Sequence, residues 1–294
     1  MIEIDKHWIG WLKHYVRENT SPELLHTAMT SLGFDDATAG YLVAKAVSRG
    51  AADVPIASRP VVPAWPFHDG YGADYVNDIF PVPAGDRIDV GNREVEVLQR
   101  FDKPCVISFA NVLSDEECAA VIERARPRLT PSTVIDTVTG KSVADPIRIS
   151  EGCLLRRGED ELVSQLEARI ARLLNWPVEN GEGFAILRYG VGDQYRPHFD
   201  YFPLQNPGSY RRMALGGQRF STLILYLNDV AAGGETDFPD AGIRVTPRKG
   251  GALYFQYCNA AGHVDPLSRH AGMPVTAGEK WIMTKWSRQR RFGE

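Results

Sequence analysis

The C-terminal half of this chain is divided into short apolar segments by glycine and proline, and this pattern limits the folds that are open to it. The segments run from 184 to 189, 220 to 227, 243 to 245, 252 to 257 and 280 to 286. Many short strands at close spacing are typical of a sandwich or jelly roll. The segment from Phe220 to Leu227 is apolar on both faces, so we expect a central strand there.

Two helices are predicted before this strand-rich part, after an expected strand from Cys105 to Phe109. Ser114 and Glu117 form a capping box, so a helix should begin there and end near Arg126. A second helix is predicted from about Asp160 to Leu174, because its leucines lie on one face. We therefore expect an α+β fold with a mainly β core: a jelly roll flanked by helices, with a small N-terminal helical domain.

Residues 1–50 predict a small helical bundle. Trp8 to Tyr15 carries apolar residues at a spacing of three or four, and Ser21-Pro22 is a typical helix start. A third helix is expected from Asp36 to Val47. We expect the bundle to serve stability or dimerisation, which would make the protein a homodimer; a substrate-gripping role is the alternative.

Residues 51–94 are expected to form a proline-rich and aromatic-rich linker or wrapping segment. Trp65, Phe67, Tyr71 and Tyr75 indicate that this segment packs on the folded chain. The remaining residues, 95–294, are predicted to form the large domain.

Charge, cysteine content and hydropathy exclude several classes of partner. The net charge is −4, from 33 basic and 37 acidic residues, so no nucleic-acid partner is expected. The four cysteines are widely spaced, which is typical of reduced thiols. No segment approaches the ~18 apolar residues of a membrane span, so we expect a cytoplasmic protein. The basic residues Arg288, Arg290 and Arg291 are expected to form a solvated terminus.

His198-Phe-Asp200 is the first candidate metal-binding pattern. On an extended segment, residues i and i+2 point to the same face, so an imidazole and a carboxylate can meet at one point. The same pattern recurs at His263 and Asp265, but glycine, asparagine and proline surround it, and we expect a loop there. Two acidic residues of the segment GGETDFP, Glu235 and Asp237, are likewise expected to lie in a solvated loop.

His270 and Lys280 extend this pattern. The segment from 270 to 286 predicts a hairpin that turns at 277–279. Its second strand should carry Lys280, Ile282, Thr284 and Trp286 on one face. A lysine on an inward face is costly unless it is paired, so Lys280 either reaches solvent at the strand end or binds an anion.

Two histidines and one aspartate fit more than one class of protein. A facial triad of this composition is typical of non-haem Fe(II) oxygenases. A zinc hydrolase could use the same ligands, but it needs a general base, and no acidic residue is adjacent to them in the sequence. A non-catalytic binding module of the same fold is the third option.

Three segments of the chain resemble the catalytic core of the prolyl 4-hydroxylase family. They are RYGVGDQYRPHFDYF, GGQRFSTLILYLNDVAAGGETDFP and HAGMPVTAGEKWIMTKW. The resemblance extends from about Val95 to the C-terminus and is strongest from Phe184. It implies a double-stranded β-helix, Fe(II) as the metal, and 2-oxoglutarate and O2 as co-substrates.

The resemblance also implies roles for individual residues. The positions that match iron ligands are His198, Asp200 and His270; those that match the 2-oxoglutarate site are Lys280, Tyr189, Thr222 and Thr284; those that match positions near the substrate are Tyr195, Arg219, Trp286 and Arg288. Arg288 departs from the family, which often has histidine there. The expected substrate is therefore either a prolyl residue in a peptide or a free proline-like amino acid, whose carboxylate Arg219 or Arg288 would bind.

Overall fold

The computed structural model describes residues 21–31, 34–48, 75–135, 142–143, 147–203, 207–260 and 262–293. They fall into two compact units. One takes its described residues from 1–66, 135–142 and 202–215; the other comprises 67–134, 143–201 and 216–294. Among the described residues, no helix has the length and apolar content needed to span a membrane.

The described elements include five helices and eighteen strands. The helices are α1 (Pro22–Ser31), α2 (Asp36–Ser48), α3 (Asp115–Ala125), α4 (Glu161–Leu174) and α5 (Pro207–Ala214). The strands are β1 (Arg87–Asp89), β2 (Glu94–Asp102), β3 (Cys105–Ala110), β4 (Thr130–Pro131), β5 (Val134–Ile135), β6 (Ser142–Val143), β7 (Arg148–Ile149), β8 (Glu151–Leu155), β9 (Phe184–Tyr189), β10 (Gln194–His198), β11 (Arg219–Tyr226), β12 (Ala232–Gly233), β13 (Thr236–Phe238), β14 (Ile243–Val245), β15 (Ala252–Gln256), β16 (His270–Gly272), β17 (Val275–Ala277) and β18 (Lys280–Arg288).

Two sheets form the core of the larger unit. A nine-stranded sheet has the order β1-β2-β3-β15-β11-β18-β9-β8-β4, and a five-stranded sheet has the order β14-β13-β16-β10-β7. Phe238 of the small sheet packs edge-on against Phe255 of the large sheet, with ring centres 5.3 Å apart. This sandwich confirms the predicted jelly roll, and β11 is a central strand as expected.

Two helices cover the outer face of the large sheet. Leu166 and Ile170 of α4 belong to the same buried cluster as Leu225 and Met283 of the sheet. The alternate residues of these strands, such as Ile224 and Ile282, belong to a second cluster that includes residues of the small sheet. The strands β11 and β18 therefore bury both faces, which explains their continuous apolar character.

The capping box is formed as predicted. The backbone N–H of Glu117 donates to the Ser114 hydroxyl over 3.1 Å, and the Glu117 carboxylate accepts from the backbone N–H of Ser114 over 2.8 Å. The α4 helix begins with Asp160 as its N-cap, where the side chain accepts from the backbone of Val163. Both helix starts therefore follow from local side-chain chemistry.

The smaller unit contains the described part of the N-terminal domain. The α1 helix begins at Pro22 and buries Leu25 and Met29, and α2 buries Leu42. These two helices pack against each other. The first predicted helix, from Trp8 to Tyr15, lies outside the described residues.

The large sheet begins earlier than expected. The strand β1, which falls within the predicted linker, pairs with β2, so regular structure starts at Arg87 rather than near Val95. Residues 51–74 of that segment lie outside the described residues. Tyr75 is buried, in agreement with a segment that packs on the folded chain.

The predicted hairpin from 270 to 286 is wrong. The strand β16 belongs to the small sheet and β18 to the large sheet, while β17 pairs with β12. The turn at Gly278 is present, with a φ of +78° that favours glycine. It carries the chain from the two-stranded sheet of β12 and β17 to the large sheet. The prediction of a solvated basic terminus is also wrong for Arg288. This residue is the last of β18 and is only 1% exposed.

Candidate active site

Three potential metal ligands meet at one end of the small sheet. His198 is the last residue of β10, and it faces His270, the first residue of β16, across the antiparallel ladder. Asp200 follows His198 by two residues, and the potential donor atoms of all three lie within 4.8 Å of one another. The Asp200 Oδ1 atom is 3.6 Å from Nε2 of His198, and Oδ2 is 3.7 Å from Nε2 of His270.

Both imidazoles are oriented by backbone carbonyls. Nδ1 of His198 lies 2.8 Å from the carbonyl oxygen of Arg196, and Nδ1 of His270 lies 3.0 Å from that of Ser268. A carbonyl only accepts, so each Nδ1 carries a proton and donates it to the backbone. The other ring nitrogen, Nε2, faces Asp200 in both residues and is the atom that a metal would bind.

The charge states of these groups suit a divalent cation. Burial lowers the pKa of His270 to about 4, so its ring is neutral at physiological pH. Burial opposes ionisation of Asp200, but the two imidazoles and Arg219 hold its pKa well below the ordinary value. Two imidazoles and one carboxylate fit the donor set of a facial triad.

A cavity opens onto this triad, and β18 forms one of its walls. Lys280, Ile282, Thr284 and Trp286 all line it, as expected for alternate residues of one strand. Tyr189 and Tyr195 also line the cavity. The Tyr195 ring is stacked on the His198 ring, with centres 3.5 Å apart, so it fixes the position of this imidazole.

Lys280 places a buried positive charge in the cavity. It is 3% exposed, and its nitrogen lies 5.6 Å from the ring centre of Tyr189 and 5.9 Å from that of Tyr226. Within the described residues Lys280 forms no salt bridge. Burial lowers its pKa to about 8, so it is still charged at neutral pH. The cavity therefore offers an anion a desolvated cation on one wall.

Thr222 does not line the cavity. Its hydroxyl donates to Asp200 Oδ2 over 2.7 Å and lies 3.1 Å from the Tyr257 hydroxyl. The threonine that faces the cavity on the neighbouring sheet is Thr236, whose hydroxyl lies 3.0 Å from that of Tyr226.

Thr236 lies in the segment GGETDFP, which was expected to be a loop but contains β13. In the structure Thr236 and Phe238 are buried and Asp237 between them is half-buried, which is the alternation of a strand, but three residues are too few to show this period in the sequence. The glycines Gly233 and Gly234, which precede this strand, both have positive φ. Asp237 forms an ion pair with Arg244 and is not part of the metal-binding group.

Arg219 and Arg288 share one carboxylate that sequence reasoning missed. Arg219 donates from Nε and Nη2 to the two oxygens of Glu182 over 2.8 and 3.0 Å, and Arg288 donates from Nη1 over 2.9 Å. Arg219 also stacks on Trp286, 3.8 Å from the ring centre. Neither arginine is among the cavity-lining residues. Their charges are therefore used inside the protein, contrary to the expectation of a carboxylate anchor.

Arg148 is a second residue that sequence reasoning missed. It lines the cavity, and its guanidinium lies 5.0 Å from the ring centre of Tyr195. It donates to the carbonyl of Thr133 over 3.0 Å, while its buried Nε has no hydrogen-bond partner among the described residues. It lies on a two-residue strand, too short to give a periodic pattern.

The second His-x-Asp pattern, His263 and Asp265, lies at the turn that leads to His270. Asp265 caps the 3-10 turn Pro266–Ser268, where its Oδ1 accepts from the backbone N–H of Leu267. The carbonyl of Ser268 at the end of this turn is the one that orients His270. The pattern thus supports the backbone that leads to His270.

Comparison with known proteins gives consistent matches. Residues 184–288 match the model of the 2OG-Fe(II) oxygenase superfamily. Prolyl 4-hydroxylase 5 of Arabidopsis thaliana is 40% identical over 228 residues, which covers 71% of this chain and 76% of that protein. Prolyl 4-hydroxylase subunit alpha-1 of Rattus norvegicus is 40% identical over 190 residues, 65% of this chain and 35% of that longer protein. A viral collagen prolyl hydroxylase from Paramecium Bursaria Chlorella virus-1, solved as a 2OG complex, is 27% identical, with a TM-score of 0.49 over 62% of this chain and 95% of that chain.

Proposed function

Because the chain belongs to the prolyl 4-hydroxylase family of Fe(II)- and 2-oxoglutarate-dependent dioxygenases, we propose that it hydroxylates a prolyl residue within a peptide or protein. The observation that carries this proposal is the facial triad at the mouth of a cavity that also contains a buried lysine. Fe(II), 2-oxoglutarate and O2 are the cofactor and co-substrates of the family. The zinc hydrolase and the non-catalytic module are not supported.

In this proposal His198, Asp200 and His270 hold the iron. The two imidazoles would bind it through Nε2, and the ionised carboxylate would supply the single negative charge. When bound, Fe(II) with 2-oxoglutarate and O2 supplies the oxidation of an unactivated C–H bond and yields succinate and CO2. Three protein ligands on one face leave coordination positions for both co-substrates.

Lys280 is proposed to bind the distal carboxylate of 2-oxoglutarate. Its ammonium group is buried, and a carboxylate in the cavity would provide the counter-ion that the described residues do not. Tyr189 and Thr284 would donate hydrogen bonds from the same wall. Thr236 lines the cavity, so we assign to it the 2-oxoglutarate contact that the family resemblance implied for Thr222. The apolar side chain of Ile282 lies between these groups and excludes water.

Tyr195 and Trp286 are proposed to contact the substrate. Trp286 is held by the stacked Arg219, whose charge is neutralised by Glu182. A prolyl ring in a peptide is neutral, so it suits aromatic surfaces and needs no carboxylate anchor. The pairing of Arg219 and Arg288 with Glu182 therefore favours a peptide substrate over a free amino acid.

A free proline-like amino acid is the alternative substrate, and one observation favours it. The substrate carboxylate would need a cation, and Arg148 on the cavity wall forms no salt bridge with a described residue. This alternative assigns to Arg148 the anchoring role that the sequence suggested for Arg219 or Arg288.

The two substrates are distinguished by measuring succinate release with free proline, pipecolate and a proline-rich peptide. We expect the peptide to stimulate release above the rate with 2-oxoglutarate alone, and the free amino acids to have no effect. Stimulation by proline or pipecolate alone would replace the peptide with a small-molecule substrate. The Asp200→Ala variant is the control for metal-independent background.

Three further features are part of the proposal. The four cysteines are unpaired, which supports a cytoplasmic location. Residues 1–50 are proposed to be a helical appendage that serves stability or homodimer formation. Residues 95–294 are proposed to form the catalytic domain, and the strand Arg87–Asp89 at the end of the preceding segment adds to its large sheet.

A further inference from the structure

We propose that Thr222, supported by Tyr257, holds one oxygen of the Asp200 carboxylate and so restricts this ligand to a single metal-binding oxygen. The inference rests on the proposed role of Asp200 as an iron ligand. It makes Thr222 and Tyr257 positioning residues that act through Asp200.

The three side chains form a buried chain of hydrogen bonds. Thr222 is 0% exposed in the centre of β11, and its Oγ1 lies 2.7 Å from Oδ2 of Asp200. On its other side the same Oγ1 lies 3.1 Å from the hydroxyl of Tyr257, which is also 0% exposed. The Tyr257 ring contacts the rings of Tyr201 and Phe255, with a ring-centre distance of 6.0 Å to each. These contacts fix the direction of its hydroxyl group.

The direction of the hydrogen bonds follows from the chemistry of the groups. An ionised carboxylate can only accept, so the single proton of the Thr222 hydroxyl points to Asp200. Thr222 can then only accept from Tyr257, and burial keeps this phenol protonated because it raises the pKa of Tyr257 well above its ordinary value. The donors therefore run from Tyr257 to Thr222 to Asp200, an order in which each bond polarises the next.

This arrangement distinguishes the two oxygens of Asp200. Each oxygen faces one imidazole, Oδ1 at 3.6 Å from Nε2 of His198 and Oδ2 at 3.7 Å from Nε2 of His270, but it is Oδ2 that accepts from the Thr222 hydroxyl. The backbone carbonyl of Asp200 accepts from Nη1 of Arg219 over 3.3 Å, which restrains the other end of the residue. Rotation of the carboxylate toward a two-oxygen contact would break the bond to Thr222.

The number of available positions makes this restraint relevant to function. A six-coordinate metal held by two histidines and one carboxylate oxygen keeps three open positions. A 2-oxoglutarate chelate would need two of them, so a second oxygen from Asp200 would take a position that a co-substrate needs. An aspartate bound through both oxygens would compete directly with the chelate. Thr222 would thus control co-substrate binding without touching 2-oxoglutarate.

The test is a titration of the full-length protein with 2-oxoglutarate in the absence of O2, after loading with Fe(II). The visible charge-transfer band of the chelate is the signal, so the readout does not depend on turnover. Thr222→Val keeps the branched shape but removes the donor, and Thr222→Ser keeps the hydroxyl. We expect Thr222→Val to need about ten- to a hundredfold more 2-oxoglutarate, the usual effect of losing a hydrogen bond to a charged group, while it still binds Fe(II). Thr222→Ser should restore most of the affinity.

Ser221→Ala is the matched control. Ser221 precedes Thr222 on the same strand, is also buried, and points to the opposite face of the sheet toward Tyr254. This variant also loses a buried hydroxyl from β11, but its titration should match that of the unmodified protein. An equal shift in Ser221→Ala would assign the effect to general destabilisation of the strand and overturn the proposal.

Two further outcomes are decisive. If folded Thr222→Val forms the chelate at the same 2-oxoglutarate concentration as the unmodified protein, the positioning role is rejected. If Thr222→Val does not fold, Tyr257→Phe replaces it: a shift in the same direction supports the chain, and an unchanged titration rejects it. Asp200→Ala separates this inference from the proposed function, since an intact band in Asp200→Ala would reject the ligand role itself.

Discussion

Lys280 and Tyr189 face each other directly across two adjacent antiparallel strands, with the lysine nitrogen 5.6 Å from the centre of the tyrosine ring. The negative face of the ring stabilises the ammonium group. A ring cannot replace a counter-ion for a cation that is only 3% exposed. An anionic co-substrate bound next to this pair would therefore supply the counter-ion that Lys280 needs.

Replacement of this lysine should weaken 2-oxoglutarate binding. Lys280→Ala removes one partner of a buried charge pair, so we expect a loss of about 2–5 kcal/mol in binding free energy. The measurement is the Kd of 2-oxoglutarate for the Fe(II)-loaded protein. The double variant Lys285→Met, Glu167→Met is the control, because Lys285 lies on the same strand but faces the other side, and removal of both partners leaves no buried charge. An unchanged Kd in Lys280→Ala would reject the anchor.

The affinity for 2-oxoglutarate should fall at alkaline pH. Burial lowers the pKa of Lys280 to about 8, and only the protonated form attracts a carboxylate. Below this pH the affinity should be constant, and above it the affinity should fall about tenfold per pH unit, since one proton is lost. Lys280→Arg keeps its charge in this range, so its affinity, even if weaker, should not change with pH. A profile for the unmodified protein that stays flat to about pH 9.5 would contradict the prediction.

The two His-x-Asp patterns should behave differently. His198→Ala removes a proposed ligand, so we expect at least about a tenfold loss of Fe(II) affinity and no charge-transfer band with 2-oxoglutarate. His263→Ala changes the same residue type in the second pattern, outside the cavity, and should retain the band. Anaerobic absorbance spectra of the two variants, recorded at equal Fe(II) concentration, test this. Loss of the band in His263→Ala alone would reverse the assignment.

The pair formed by Lys285 and Glu167 should show strong coupling in stability. The two charged atoms lie 2.6 Å apart, and the side chains are 5% and 3% exposed. Glu167→Met and Lys285→Met each leave one buried charge unbalanced, and each should cost about 3–5 kcal/mol of unfolding free energy. The double variant Lys285→Met, Glu167→Met should recover most of this loss, because it leaves no buried charge. Denaturant unfolding of the single and double variants measures the coupling, and additive effects would contradict it.

Local patterns in the sequence predicted those parts of the structure that depend on neighbours along the chain. The capping box at Ser114 and the common face of Lys280, Ile282, Thr284 and Trp286 follow from periodicity and side-chain chemistry within a few residues. The same holds for His198 and Asp200, because both lie on one segment. These features were correctly predicted since tertiary contacts only reinforce them.

The remaining features depend on which strands pair, and this is a non-local property. Periodicity showed that β18 has two faces, but not that β16 joins the other sheet, so a hairpin was wrongly expected. Thr222 was expected in the cavity because the family resemblance implied it, yet its hydroxyl donates to Asp200.

Glu182 and Arg148 show the same limitation for charged residues. Neither lies in a recognisable pattern, and each gains its importance from a partner distant in sequence: Arg219 and Arg288 for Glu182, and Tyr195 for Arg148. Arg288 was expected in solvent because the sequence near it is basic. Its partner Glu182 lies 106 positions away in the chain, so the burial of this arginine could not be predicted locally.

The alternation along β18 has a consequence for how this protein can change. Lys280, Ile282 and Thr284 face the cavity, whereas Trp281 and Met283 pack under the helices. Insertion or deletion of a single residue within this strand would exchange the two faces and turn Lys280, the proposed co-substrate anchor, toward the helices. We therefore expect the strand to accept many substitutions of similar size and to tolerate insertions or deletions in the flanking turns, but none between Lys280 and Trp286.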